Sequence, residues 1–333
     1  MSAGAPAAGR ASNIVTLPTI GKSTSRVGFG TGGLLRIGSA RDRHNTLAAA
    51  LASGVTHFDT APLYGFGEAE RTLGRFLRGH RHDVTLTTKF GLRAAPLAAR
   101  LAVLQRLGRR ALELYPTLRR IAVRNAAVLR KPPSFSLPEA RASLEKSLRA
   151  LRTDYVDFFL AHQASVDALP DEELLGWLEA MRRAGKILAY GVATDFDWLL
   201  PVLQQRPQLA AVVQFDSDLT RQSAAVLGNT GGLLITFGFI GRAITRCRER
   251  LALMRAALEN PPAAAVNTPW LEHTGDDELG ALLLRAAVLA NPHGIVLMQS
   301  RSIERIERNV RTATGGGDDA RVAELVKLLE PQP

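Results

Sequence analysis

From Val27 onward, short apolar runs alternate with stretches whose apolar residues recur every three or four positions. Continuous or alternating runs read as strands, and the longer period reads as amphipathic helix. The strand-like runs are Val27–Gly30, Val55–Asp59, Val84–Lys89, Tyr155–Ala161, Ile187–Val192, Ala211–Phe215, Leu233–Phe237 and Gly294–Met298. Helical patterns lie between them. Arg41–Ser53 stops at Gly54, Gly67–Leu77 aligns Leu73, Phe76 and Leu77, and Pro138–Leu151 leads into the fourth strand. Asp171–Ala184 stops at Gly185 and Trp198–Gln205 follows; a stretch after Arg221, Gly241–Glu259 and Asp276–Ala290 come next, and Ser302–Thr312 and Asp319–Leu329 close the chain. Glycine after the last periodic residue is an ordinary helix stop.

Eight strands, each followed by helix, imply parallel pairing and predict a single (β/α)8 TIM barrel of the α/β class. The rival is an open doubly wound sheet. Ile14–Leu17 and Ser25–Val27 read as an N-terminal β-hairpin at the barrel bottom. Residues 1–13 are small and polar, lack the apolar stretch of a secretory leader, and read as a flexible tail. No repeat or Pro/Gly/Ser linker interrupts the chain, so residues 14–333 are expected to form one domain. The loop after the third strand is unusually long, an insertion over residues 92–135.

Composition narrows the classes. With 46 % apolar and 22 % charged residues in 333, the chain is not broadly disordered and can bury a large core. The single cysteine, Cys247, excludes an intramolecular disulfide and a cysteine-rich zinc site, and reads as an inert helix residue. The seven histidines lack ligand spacing, so no metal is expected. No run approaches the ~18 apolar residues of a membrane span, and the expected location is cytoplasmic.

The net charge of +11 belongs mostly to one segment. Between Leu92 and Phe135 stand ten basic residues and one acid, Glu113. Leu97, Leu101, Leu104 and Leu107 sit at helical spacing among these arginines. A basic amphipathic insertion suits a lid that helps select substrate, a peripheral membrane contact or an acidic partner. Its aromatic content, Tyr115, speaks against nucleic acid.

In a (β/α)8 barrel the reactive groups sit at the C-terminal ends of the strands. Asp59 ends the second strand, Tyr64 follows it in the loop, Lys89 ends the third and His162 ends the fourth. A tyrosine is a weak acid at neutral pH, and a nearby ammonium lowers its pKa. A carboxylate holds that ammonium, and an imidazole donates to an oxygen on which charge develops. The set suits carbonyl reduction, with hydride from a bound cofactor and a proton from Tyr64.

The segments GFGTGG (Gly28–Gly33), HFDTAPLYGFGEAERTLG (His57–Gly74), TTKFG (Thr87–Gly91), DYVDFFLAHQ (Asp154–Gln163), AGKILAYGV (Ala184–Val192) and SRSIERIERN (Ser300–Asn309) together resemble the aldo-keto reductase family. The resemblance implies the barrel and a nicotinamide cofactor, with Asp59, Tyr64, Lys89 and His162 as the catalytic tetrad. It also implies that Gly30 and Thr31 lie near the nicotinamide, that Gln214 binds its carboxamide, and that Phe237 stacks on it. Ser300, Arg301, Ser302, Arg305 and Asn309 match the loop and helix that hold the adenosine phosphate. Two arginines and a serine at a helix start suit a 2′-phosphate, so NADP(H) is expected, with NAD(H) as the alternative. Ala193-Thr194 stands where the family carries Ser-Asn, leaving Thr194 or Asp195 as the substitute contact, and Gly238-Phe239 replaces a polar run.

Two further functional readings stand beside a reductase of aldehydes and ketones: an aldose or lactol dehydrogenase, and a non-catalytic cofactor-sensing protein. Gly28–Gly33 also fits the dinucleotide fingerprint G-x-G-x-x-G, but no acid stands about 20 residues on to hold a ribose.

Overall fold

The computed structural model describes residues 13–92, 133–217, 219, 231–257, 269–315 and 317–329. Its strands are β1 (Ile14–Leu17), β2 (Lys22–Ser25), β3 (Val27–Gly30), β4 (His57–Asp59), β5 (Thr85–Phe90), β6 (Val156–His162), β7 (Ile187–Thr194), β8 (Val212–Asp216), β9 (Leu233–Phe237) and β10 (Ile295–Met298). Strands β3 to β10 close a barrel in the order β10-β3-β4-β5-β6-β7-β8-β9. The register pairs Lys89 with Leu160 and Phe90 with Ala161, and β10 runs parallel to both β9 and β3. Closure excludes the open doubly wound sheet.

The connecting helices are α1 (Ala40–Ala52), α2 (Glu68–Phe76), α3 (Leu137–Leu151), α4 (Glu172–Arg183), α5 (Phe196–Gln205), α6 (Phe239–Ala257), α7 (Pro269–His273) and α8 (Asp276–Ala290). After β10 come α9 (Ile303–Thr314) and α10 (Asp319–Leu329). The short α7 has no counterpart in the sequence pattern. The stretch after Arg221, the N-terminal tail and residues 93–132 of the insertion lie outside the described residues. The N-terminal hairpin pairs Ile14 with Ser25 in antiparallel register. Its second arm is Lys22–Ser25 rather than Ser25–Val27, because Pro18–Ile20 form a tight helical turn ended by left-handed Gly21 and Val27 is already committed to the barrel.

The chain divides into two compact units, residues 30–44 with 58–213, and residues 1–29 with 45–57 and 214–333. In the first, every residue of β5 is buried, as is common for parallel strands covered on both faces. Phe90 stacks on Phe159 with centroids 4.5 Å apart, and Phe135 meets Phe90 edge-on. Ser134 N donates to Gly91 O, so the insertion leaves and rejoins the chain at the end of β5. Asp157 is fully buried and accepts from Arg81 at 2.8 Å and from the backbone of Leu86 at 2.9 Å. In the second unit, α8 is buried from Leu279 through Val288. Its one charged residue there, Arg285, donates to Asp319 and to the carbonyl of Ala313.

In the Gly28–Gly33 motif, Gly28 serves packing. A Cβ at Gly28 would come within 2.8 Å of Leu297 and His57, so its small size is a requirement of the barrel wall. The motif runs into a short turn at Leu34–Arg36 rather than into a helix start, which removes the phosphate-binding geometry of the dinucleotide fingerprint.

Candidate active site

Asp59, Tyr64, Lys89 and His162 all fall in the first unit. Asp59 and Lys89 end adjacent strands and are each 2 % exposed. Lys89 Nζ donates to both carboxylate oxygens of Asp59, at 2.7 and 2.8 Å, and to the carbonyl of Thr60 at 3.0 Å. The Tyr64 hydroxyl lies 3.5 Å from the same nitrogen. An ammonium has three hydrogens, and four acceptors surround this one, so Tyr64 receives the weakest share. The Tyr64 and His162 rings meet edge to face, with centroids 6.2 Å apart.

Local sequence explains the placement of Tyr64. Tyr64 N donates to Ala61 O, and the next three residues, Gly65, Phe66 and Gly67, all have positive φ. At Gly65 a Cβ would lie 1.9 Å from Leu35 Cδ1. The chain therefore turns sharply past the phenol into α2. Gln163, directly after His162, also has positive φ, and its N–H donates to Ala193 O on β7. A left-handed non-glycine residue at a strand end is uncommon and clusters at functional sites.

The electrostatics differ from the expectation in one respect. Burial pushes the Tyr64 hydroxyl up, Lys89 pulls it down, and Asp59 pushes it up again, leaving it above the usual phenol range. The lowering expected from Lys89 is present but smaller than the desolvation. For Lys89, burial acts downward, but Asp59 and Tyr64 together hold the ammonium above its usual range. The phenol thus keeps its proton and the lysine keeps its charge.

A second layer escaped the sequence reading. Thr88, beside Lys89, donates at 2.7 Å to Glu70, which is fully buried on α2. Burial raises the Glu70 carboxyl; the hydroxyls of Thr88 and Ser147 and the charges of Lys146 and Lys89 oppose this without cancelling it. The available signal was a glutamate on the apolar face of Ala69–Phe76. Thr31 is also buried, and both its N–H and its hydroxyl donate to the Asp59 carbonyl, at 2.9 and 3.0 Å. Gly30 ends β3 beside it. Thr194 ends β7 and donates its hydroxyl to Ala164 O at 2.6 Å.

The remaining cofactor candidates fall in the second unit. Gln214 is buried on β8, and Phe237 ends β9 with its carbonyl accepting from Ser217 N. Ser302 caps α9 by accepting from Arg305 N, and Ser300 Oγ accepts from Ser302 N. Arg301 is exposed, with no side-chain partner among the described residues, whereas Arg305 lies 3.5 Å from Asp277. Asn309 is 9 % exposed, and its Oδ1 is buried without a hydrogen-bond partner. A free guanidinium before a helix start and an unmatched amide oxygen fit a phosphate carried next to a hydrogen-bond donor.

Elsewhere, no group of three metal-binding side chains occurs among the described residues. No helix among them is long and apolar enough to cross a membrane.

Residues 26–208 match a family model described as the aldo/keto reductase family. Aldo-keto reductase YhdN of Bacillus subtilis is 30 % identical over 179 residues, which cover 52 % of this chain and 44 % of that protein. The chain spans about half the length of most of the curated relatives it matches. An aldo-keto reductase from Bacillus halodurans in its holo form superposes with a TM-score of 0.68 at 19 % identity, covering 96 % of both chains. A Klebsiella pneumoniae aldo-keto reductase in complex with NADPH gives 0.62 at 20 % identity, covering 94 % of each.

Proposed function

The chain belongs to the aldo/keto reductase family, and from that premise we propose that it is an NADP(H)-dependent oxidoreductase interconverting an aldehyde or ketone with its alcohol. The observation that carries this reading is the buried Asp59–Lys89 pair with the Tyr64 hydroxyl 3.5 Å from Nζ. We assign Tyr64 as general acid, Lys89 and Asp59 as the pair that fixes its surroundings, and His162 as the donor that orients the substrate oxygen. Residues 14–333 act as one catalytic domain in this reading. A cytoplasmic setting suits the single cysteine, held as a buried free thiol.

A bound dinucleotide would supply hydride to the carbonyl carbon. As charge grows on the carbonyl oxygen, Tyr64 passes its hydroxyl proton to that oxygen. The raised pKa of Tyr64 keeps the proton available throughout the neutral range. Lys89, held charged by Asp59, stabilises the phenolate that remains. His162, edge-on to Tyr64, presents an N–H to the same oxygen and fixes the direction of transfer. Arg301, Ser302, Arg305 and Asn309 would hold the adenosine phosphate, while Thr31, Thr194, Gln214 and Phe237 would meet the nicotinamide end. The NADPH complex of the Klebsiella relative supports the cofactor choice.

Tyr64→Phe tests the assignment. The variant is expected to bind NADPH with unchanged affinity by fluorescence titration and to lose at least a hundredfold in carbonyl turnover, roughly the low end of acid catalysis. Normal turnover would remove Tyr64 from the mechanism.

A further inference from the structure

A second charged site lies away from the tetrad, on the helices of the first unit. Helices α2 and α3 approach closely where Gly74 meets the end of α3. A Cβ at Gly74 would come within 2.4 Å of Ala150 O and 2.6 Å of Leu151 Cα. Residues three or four apart share one face of a helix. The faces flanking this contact therefore present Arg71 and Arg75 from α2, and Lys146 and Arg149 from α3. They line an open surface cavity of about 300 Å³, together with Ala150 and Arg152.

Among the described residues no acid lines the cavity. Glu68 stands outside it and is shared by Arg71 at 2.9 Å and Arg75 at 3.3 Å. Glu145 lies 3.6 Å from Arg149, with both side chains about 70 % exposed, a geometry worth little in water. Lys146 and Arg152 form no salt bridge among the described residues. Five cations face the peripheral carboxylates of Glu68 and Glu145, and Lys146 also interacts with buried Glu70, a balance that leaves a concave surface of positive potential. A shallower hollow continues past Arg149 and Arg152 to Lys186, but Glu145 and Asp154 share it.

Arg152 is held unusually. It caps α3 in the left-handed conformation, with φ 57° and its N–H on Leu148 O, a position glycine fills without steric cost. The side chain that occupies this backbone is a guanidinium on the cavity wall.

We propose that this cavity binds a compact phosphate-bearing anion carrying two or more charges, such as a pyrophosphate or a phosphorylated metabolite. Arginine forks match phosphate oxygens in pairs, and lysine adds a point charge. A single carboxylate would leave most of the cations unmatched. A free anion is favoured over a lipid headgroup because, among the described residues, no large apolar side chain lines the cavity itself, and Leu148 belongs to the adjoining hollow. The exposed large hydrophobic residues among those described are Ile14, Trp198, Leu200 and Leu289, none of which lines the cavity.

The test is calorimetric titration of inorganic pyrophosphate at physiological ionic strength into wild type, Arg152→Gly, Lys146→Ala and Arg301→Ala/Arg305→Ala. Saturable binding that survives the double variant and weakens roughly tenfold in each cavity variant is expected, as for loss of one charged contact. Arg152→Gly keeps a left-handed position that glycine adopts without steric cost, and an unchanged thermal midpoint separates loss of binding from unfolding. Three results would overturn the proposal. One is absence of saturable binding to wild type. Another is loss of binding in the double variant with retention in the cavity variants. The third is Arg152-dependent retention on phosphatidylglycerol vesicles without pyrophosphate binding, which would move the site to a membrane surface.

Discussion

Lys89 places Nζ within 2.8 Å of both carboxylate oxygens of Asp59, with neither side chain more than 3 % exposed. Removing one partner strands the other as an unpaired buried charge, at a cost of about 3–5 kcal/mol. Asp59→Asn and Lys89→Met are each expected to lose stability on that scale in chemical denaturation, and to lose turnover. The double variant is expected to regain much of the stability and none of the activity. If it stays as unstable as either single variant, the pair does not act as a unit.

The reduction rate is expected to follow the protonated fraction of Tyr64. Because its pKa lies above the ordinary phenol value of 10.0, the rate should stay level through neutrality and fall only above pH 10. A fall centred near pH 7 in the pH profile of kcat/KM would show that Lys89 outweighs burial once ligands are present.

Glu70 gives a stability prediction of defined sign. Its folded pKa is raised above 4.5 by burial, so its contribution is fully present below that value. That contribution is lost as pH rises through the folded pKa. Glu70→Gln keeps an acceptor for Thr88 and removes the charge. It should therefore be more stable than wild type at pH 8, with the advantage vanishing towards pH 4. Denaturation midpoints of the two proteins across that range provide the check.

Gly65→Ala is expected to be costly twice over, through its positive φ and through the contact with Leu35. A loss of about 1–3 kcal/mol in thermal unfolding should accompany a fall in turnover from displaced Tyr64. Leu35→Ala in the same chain should restore part of the activity by removing the clash. No restoration would mean that the backbone conformation alone matters.

The Cys247 thiol is buried, and burial pushes it up to about 11. It should resist alkylation by iodoacetamide at pH 8 in the folded protein and react promptly in denaturant. Mass spectrometry of the native protein after an hour reads this directly. Rapid labelling would place the thiol in a more open environment than α6 provides.

The barrel was legible because its strands are short runs rich in apolar and β-branched residues, separated by segments of helical period. Val27, Ile187 and Leu233 begin strands in both the sequence pattern and the structure, and Asp276–Ala290 and Asp319–Leu329 are helices in both. Asp59, Tyr64, Lys89 and His162 were legible because each stands at or just after a strand end. Thr60 was not, since it acts through a backbone carbonyl that any residue would supply. The net direction of the Tyr64 shift depends on burial, which a residue pattern does not measure. The anion cavity was hidden for a related reason. Arg71, Arg75, Lys146, Arg149 and Arg152 come from two helices far apart in sequence. They become neighbours only because Gly74 lets those helices touch.

The two bonds from Thr31 to the Asp59 carbonyl bear on how such a protein diversifies. Asp59 is pinned at its backbone by Thr31 and at its side chain by Lys89. Its position at the end of β4 is thus tied to the residue that follows β3 and to β5. Loops attached to those strands can lengthen, shorten or be exchanged without redrawing the acid–base centre. The excursion that leaves and rejoins the chain between Gly91 and Ser134 sits on such a foundation. The Asp59–Lys89 pair is therefore separable from the loops around it, a modular arrangement open to transplantation between barrels.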